Sequence, residues 1–135
     1  MRSKLKLLIL VLLLLSGLVL INCGNRHASE INTFIHERSV LAVQMAAKVD
    51  ASPNEAGVTE ARKIFDSKKD ALSAKRDALK KADLSFDSVQ QIWGAERDDD
   101  NLFKSVRDKH VMELFGTQYD KLVTDFGHET GWRSP

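Results

Sequence analysis

Apolar residues recur three or four positions apart through most of the chain beyond residue 28, and no stretch alternates strictly between apolar and polar residues. Positions with this spacing share one face of an α-helix, so the pattern predicts amphipathic helices rather than strands. Four helices are predicted, over residues 29–49, 53–82, 85–115 and 117–126. The sequence therefore predicts an all-α domain over residues 29–127, followed by a flexible tail over residues 128–135.

Residues that favour the start of a helix precede each predicted helix. The clearest signal is at the second helix, where Ser52 would cap the helix, Pro53 would occupy its first position and Glu55 lies three residues after the cap. This combination gives partners to backbone N–H groups that the first turn leaves unpaired. The capping residues predicted for the other helices are Ser29, Ser85 and Thr117.

The connections between the predicted helices are short, which favours an up-and-down bundle of three to four helices. A hairpin turning at residues 83–84 would bring together positions of the second and third helices whose numbers sum to about 167. This register predicts contacts of Phe65 with Phe103, Ala61 with Val106 and Ala74 with Trp93. It also predicts a salt bridge between Lys68 of the second helix and Asp99 of the third helix.

Charged residues interrupt the apolar pattern at two places. Arg38 lies on the apolar face of the first helix, and we interpret it as a side chain that crosses the core and keeps its charge in water. The run Asp98-Asp99-Asp100 lies in the third helix. Neighbouring helical positions point about 100° apart, so three adjacent carboxylates cannot converge on one calcium ion. The run is therefore predicted to be solvated, within an unbroken helix.

The first 22 residues have the composition of an export signal. A basic start, Met1 to Lys6, precedes an apolar run over residues 7–21 that only Ser16 and Gly17 interrupt. A helix through this run would be about 23 Å long, shorter than the roughly 30 Å hydrocarbon core of a bilayer. A short apolar run after a basic start is typical of a signal peptide.

The end of this run, Leu20-Ile21-Asn22-Cys23, resembles the lipobox of bacterial lipoproteins. It departs from that pattern at Asn22, where Gly, Ala or Ser is usual. The resemblance covers residues 1–23 and implies that Cys23 is acylated and becomes the first residue of the mature chain. Residues 1–22 would then be a lipoprotein-type signal peptide, and residues 23–28 a short tether to membrane lipid.

The cysteine count agrees with this interpretation, because Cys23 is the only cysteine and no intramolecular disulfide can form. Residues 24–28 would span at most about 17 Å, so the domain is expected close to the membrane surface. We expect a location in the bacterial cell envelope, with the domain facing the periplasm or the cell exterior. An uncleaved N-terminal transmembrane anchor is the alternative.

Charge argues against nucleic acid as a partner. The whole chain carries 20 basic and 19 acidic residues, and three of the basic ones lie in residues 1–22. The remainder is therefore slightly acidic, with 17 basic against 19 acidic residues. Binding to nucleic acid depends mainly on clustered Lys and Arg side chains.

No pattern of catalytic or metal-binding residues is recognisable in the sequence. The four histidines, His27, His36, His110 and His128, never lie three or four positions apart, as metal sites on one helix require. No Gly-x-Ser-x-Gly motif or glycine-rich phosphate loop occurs. We therefore expect a protein that is not an enzyme and that has no metal site or cofactor.

Together these features predict a small membrane-anchored envelope lipoprotein that serves as a binding or structural module, with an envelope protein as a candidate partner. A periplasmic chaperone-like or stress-sensing bundle is the alternative, and it should expose an apolar concave patch of several hundred Å². An enzyme would instead show a cleft in which ionisable residues converge.

Overall fold

A computed structural model describes residues 27–133, and within this range the chain is all-helical, as predicted. The predictions for the signal peptide and for Cys23 lie outside the described residues. The five helices are α1 (Ala28–Ala51), α2 (Glu55–Lys81), α3 (Phe86–Lys109), α4 (Val111–Leu114) and α5 (Tyr119–Thr130). Among these helices, none combines the length and the hydropathy that a membrane span requires.

The start of α2 differs from the prediction by two residues. Its N-cap is Asn54 rather than Ser52, and the Asn54 side chain accepts hydrogen bonds from the backbone N–H groups of Ala56 and Gly57 at 3.0 and 3.3 Å. The reason is the length of α1, because the N–H of Ser52 still donates to the carbonyl of Lys48. Ser52 therefore ends α1 and cannot also begin α2.

The caps predicted for the other helices had mixed outcomes. The Ser85 side chain accepts from the N–H of Ser88 at 3.2 Å, which confirms the predicted cap of α3. The prediction was wrong for Ser29, because α1 begins at Ala28 and has no side-chain cap. Thr117 accepts from the N–H of Tyr119, but the capping position of α5 is Gln118.

The third helix passes unbroken through Asp98–Asp100, as predicted, but it ends at Lys109 rather than at residue 115. His110 separates it from the single turn of α4. Gly116 then reverses the chain with a φ of 77°, a conformation that glycine adopts without steric cost.

Residues 128–133 of the predicted tail are folded onto the bundle. Helix α5 continues to Thr130, which is fully buried, and Trp132 packs against the core. The backbone N–H of Trp132 donates to the carboxylate of Glu96. The boundary predicted at residue 127 was therefore wrong, because the residues after it pack against α3.

The hydrogen bonds between helices give their directions. Asn32 pairs with Gln91 and Asp50 with Lys109, so α1 and α3 run parallel. Arg62 pairs with Asp125, and Gln118 donates to the carboxylate of Glu55, so α2 and α5 also run parallel. Helix α1 packs against both α2 and α3, whereas α5 packs against α2. Directions still alternate along the chain, as an up-and-down order requires.

The predicted hairpin of the second and third helices is not formed side by side. Within residues 27–133, α2 and α3 share no extensive contact, whereas α1 packs against both. The Phe126 ring contacts Phe65 on one side and Phe103 on the other, with centroid distances of 6.0 and 5.2 Å. Helices α2 and α3 therefore lie diagonally opposite each other, and the predicted direct contact of Phe65 with Phe103 is wrong.

The residues that were predicted to meet between α2 and α3 have different neighbours in the structure. Ala61 and Val106 are buried in the common core, as are Phe65 and Phe103. Ala74 is exposed on α2. Its predicted partner Trp93 lies under the guanidinium of Arg133, at 4.7 Å from the ring centroid.

Candidate functional site

Asp99 lies inside the bundle, where it pairs with Arg38 instead of Lys68. Arg38 and Asp99 are only 3% and 4% exposed, and the Arg38 Nη1 donates to the Asp99 carboxylate at 2.5 Å. Lys68 is exposed and lines a groove between α1 and α2. The predicted Lys68–Asp99 salt bridge is therefore wrong, because the turn of α3 that carries Asp99 faces α1.

The interpretation of Arg38 as a side chain that keeps its charge in water is wrong, because the side chain is buried. Its Nε donates to the hydroxyl of Thr130 at 3.1 Å, and its guanidinium lies 4.5 Å from the centroid of the Phe126 ring. The Thr130 hydroxyl in turn donates to the carbonyl of Phe126 at 2.6 Å. Arg38 therefore joins α1 to both α3 and α5.

Burial dominates the electrostatics of this cluster. Loss of water raises the pKa of Asp99, and the attraction of Arg38 and a hydrogen bond from Ser39 only partly offset this effect. The Nε and Nη1 groups of Arg38, the Asp99 carboxylate and the Thr130 hydroxyl are all engaged in hydrogen bonds within the cluster. Its chemistry is that of a structural cross-link among three helices.

The described surface carries several grooves. One groove of about 350 Å³ lies between the start of α1 and the end of α2, and one of about 460 Å³ lies beside Trp93 on α3. Within residues 27–133, no three His, Cys, Asp or Glu side chains are grouped closely enough to hold a metal ion.

Three large apolar side chains are exposed at one end of the bundle, in and just after α4. Val111, Met112 and Phe115 are 58%, 81% and 87% exposed, and we call them the apolar tip. His110, next to the tip, pairs with Asp50 near the end of α1 at 2.7 Å. The tip therefore lies beside the end of α1, and the 24 residues of that helix separate it from Ala28 by about 36 Å.

The helix pattern did not predict the apolar tip. The apolar pattern included Val111 in the periodic set of a continuous helix over residues 85–115, whereas the helix ends at Lys109 and Val111 is exposed. A signal was present, because four of the five residues from 111 to 115 are apolar and one helix face cannot hold all of them. Of these four residues only Leu114 is buried.

Comparison with known proteins gives no relative. No family model, no curated protein and no solved structure matches this chain.

Proposed function

We propose that this chain is a lipoprotein of a bacterial cell envelope, anchored through Cys23, and that its helical bundle binds a protein partner through the apolar tip. The exposure of Val111, Met112 and Phe115 at one end carries this proposal. Apolar side chains clustered on a surface favour association, because covering them removes apolar area from water.

The position of the tip indicates what kind of partner it binds. The tether from Cys23 reaches Ala28 within about 17 Å, so the start of α1 is the end of the bundle nearest the anchoring bilayer. The tip lies at the other end of α1, about 36 Å further away. It therefore faces away from that bilayer, and a protein in the adjoining compartment is the partner that we propose.

The anchor is tested by comparing the full-length chain with a Cys23→Ala variant, both isolated from membranes. We expect the parent chain to lack residues 1–22 and to gain the mass of acyl groups. The variant should retain its leader and carry no lipid. If neither protein carries lipid and the membrane retains both equally, lipidation is contradicted and an uncleaved anchor is favoured.

The binding role is tested with Phe115→Glu, using Val43→Glu as the control, because Val43 is exposed on the side of α1. We would extract the full chain from its native membranes in mild detergent and measure its sedimentation. The parent and the control should sediment as a larger complex, and Phe115→Glu as a single chain. A parent that sediments as a single chain would contradict the binding role and favour a spacer.

Self-association is distinguished by expressing two copies of the chain with different tags. Recovery of one tagged copy with the other would mean that the tip binds a second copy of this chain. That result would contradict a separate protein partner.

A further inference from the structure

We propose that the end of the bundle opposite the apolar tip rests on the anchoring bilayer, with the ring of Phe86 in the headgroup region. This inference rests on the proposed lipid anchor at Cys23. It adds a second, non-covalent membrane contact, which would fix the orientation of the bundle.

Phe86 lies at the same end of the bundle as the proposed tether. Asn32 lies five residues after His27, and Gln91 lies five residues after Phe86. The Asn32 and Gln91 side chains are hydrogen-bonded at 2.9 Å, and α1 and α3 run parallel. Phe86 therefore lies level with His27, at the end of the bundle where the described chain begins.

This end of the bundle exposes a large apolar side chain. Phe86 is 70% exposed, although it is the first residue of a helix whose other phenylalanine is fully buried. The preceding Leu84 packs against the core, so the 82–85 connection holds Phe86 at the surface. Phenylalanine is one of the apolar side chains that helices at a membrane surface bury at the boundary between headgroups and acyl chains.

The charge of this end neither attracts it strongly to the bilayer nor repels it. The exposed Lys80 and Lys81 lie at this end together with three exposed acidic residues, Glu30, Asp83 and Asp87, so the end has no basic excess. We therefore assign the contact to the Phe86 ring and expect it to form on zwitterionic lipid without any requirement for anionic headgroups.

The proposed tether is short. Residues 24–28 span at most about 17 Å, so an anchored bundle cannot move this end far from the headgroups. A contact that would be weak between separate molecules is then intramolecular and benefits from a high effective concentration. One aromatic side chain is therefore sufficient to bias the orientation.

The experiment uses the lipid-modified full chain on phosphatidylcholine vesicles that contain a lipid with a headgroup-level quencher. Acylation blocks Cys23, so a new cysteine is the single reactive thiol available for a fluorophore. We would label Asp83→Cys beside Phe86 and, as a matched control, Glu113→Cys beside the apolar tip. Both acidic residues are exposed.

We expect quenching at position 83 to exceed that at position 113 several-fold. Adding Phe86→Ser to Asp83→Cys should reduce quenching to the level of position 113, while the protein still sediments with the vesicles. Anionic phosphatidylglycerol in the vesicles should change these values little.

Several results would overturn the inference and leave the anchor in place. They are equal quenching at the two positions, quenching at position 83 that Phe86→Ser does not change, and quenching that requires phosphatidylglycerol. A chain that does not sediment with vesicles, or whose Cys23 accepts the fluorophore, would instead overturn the proposed anchor, and this inference with it.

Discussion

Arg38 and Asp99 form a buried ion pair between two parallel helices, α1 and α3, 61 residues apart in the chain. Because a buried charge without a partner is costly, only a register that brings these two side chains together is favourable. Arg38 also donates a hydrogen bond to Thr130, which extends the same constraint to the end of α5. We infer that this pair specifies how the helices align, whereas apolar burial supplies most of the stability.

Replacing one partner of this pair should be far more harmful than replacing both. We expect Arg38→Met to lower the free energy of unfolding by about 3–5 kcal/mol, because it leaves the Asp99 carboxylate buried without its counter-ion. The double variant Arg38→Met/Asp99→Leu should recover most of this loss. Urea unfolding of the described domain, followed by circular dichroism, measures both values.

The matched control is Arg62→Met, which removes the pair with Asp125. Those side chains are 27% and 29% exposed, and solvent screening should limit the loss to less than about 1 kcal/mol. A loss for Arg38→Met no larger than that for Arg62→Met would contradict the role that we assign to the buried pair.

Asp99 and Asp125 should give opposite dependences of stability on pH. Burial raises the pKa of Asp99 above its ordinary value of 3.8, so the folded protein holds this proton more tightly than the unfolded chain does. The resulting stabilisation is full below pH 3.8 and is lost as the pH rises through the folded-state value. Hydrogen bonds from Lys121 and Arg62 lower the pKa of Asp125. Its stabilisation is present above pH 3.8 and is lost as the pH falls through the lowered value.

The variants Asp99→Asn and Asp125→Asn separate these two effects. As the pH rises through the acid range, the unfolding free energy of the parent should fall relative to Asp99→Asn and rise relative to Asp125→Asn. Urea titrations at a series of acid pH values measure both differences. Two differences that change in the same direction would contradict the assignment for one of the aspartates.

Local features of the fold could be predicted from the sequence, because they depend on residues close together in the chain. The 3.6-residue period predicted the helices, and the continuous α3 through Asp98–Asp100 is confirmed. Helix ends were less well predicted, since Ser52 and Asn54 are both good capping residues. The choice between them depends on where α1 stops, which the local pattern does not encode.

Helix adjacency could not be predicted from local patterns, because it depends on which element fills the space between α2 and α3. Phe65 and Phe103 were correctly predicted to be core residues, but the assumption of a hairpin paired them directly and left no place for Phe126. Asp99 was misinterpreted for a similar reason. Its neighbours Asp98 and Asp100 are exposed, and only the distant Arg38 distinguishes it from them.

Phe126 should be among the residues that matter most for stability. Its ring is fully buried between Phe65 and Phe103 and beneath the Arg38 guanidinium. We expect Phe126→Ala to lower the unfolding free energy by about 3–5 kcal/mol, because it removes apolar contacts and leaves a cavity. Phe86→Ala is the control. Its ring is exposed, so the change should stay within about 0.5 kcal/mol in the absence of a bilayer. Similar losses for the two variants would contradict the observed position of α5.

Two glycines should respond in opposite ways to the same substitution. A Cβ atom at Gly57 would lie 1.8 Å from the backbone carbonyl oxygen of Ser52, whereas a Cβ atom at Gly94 would meet nothing within 4 Å. Gly57→Ala must therefore separate the first turn of α2 from the end of α1, and we expect a loss of about 1–3 kcal/mol. Gly94→Ala should stabilise the protein by about 0.5–1 kcal/mol, because alanine reduces the conformational entropy of the unfolded chain and favours a helix interior. Thermal unfolding of the two variants measures both changes, and an unfolding temperature for Gly57→Ala at or above that of the parent would show that α1 and α2 are not in close contact at this turn.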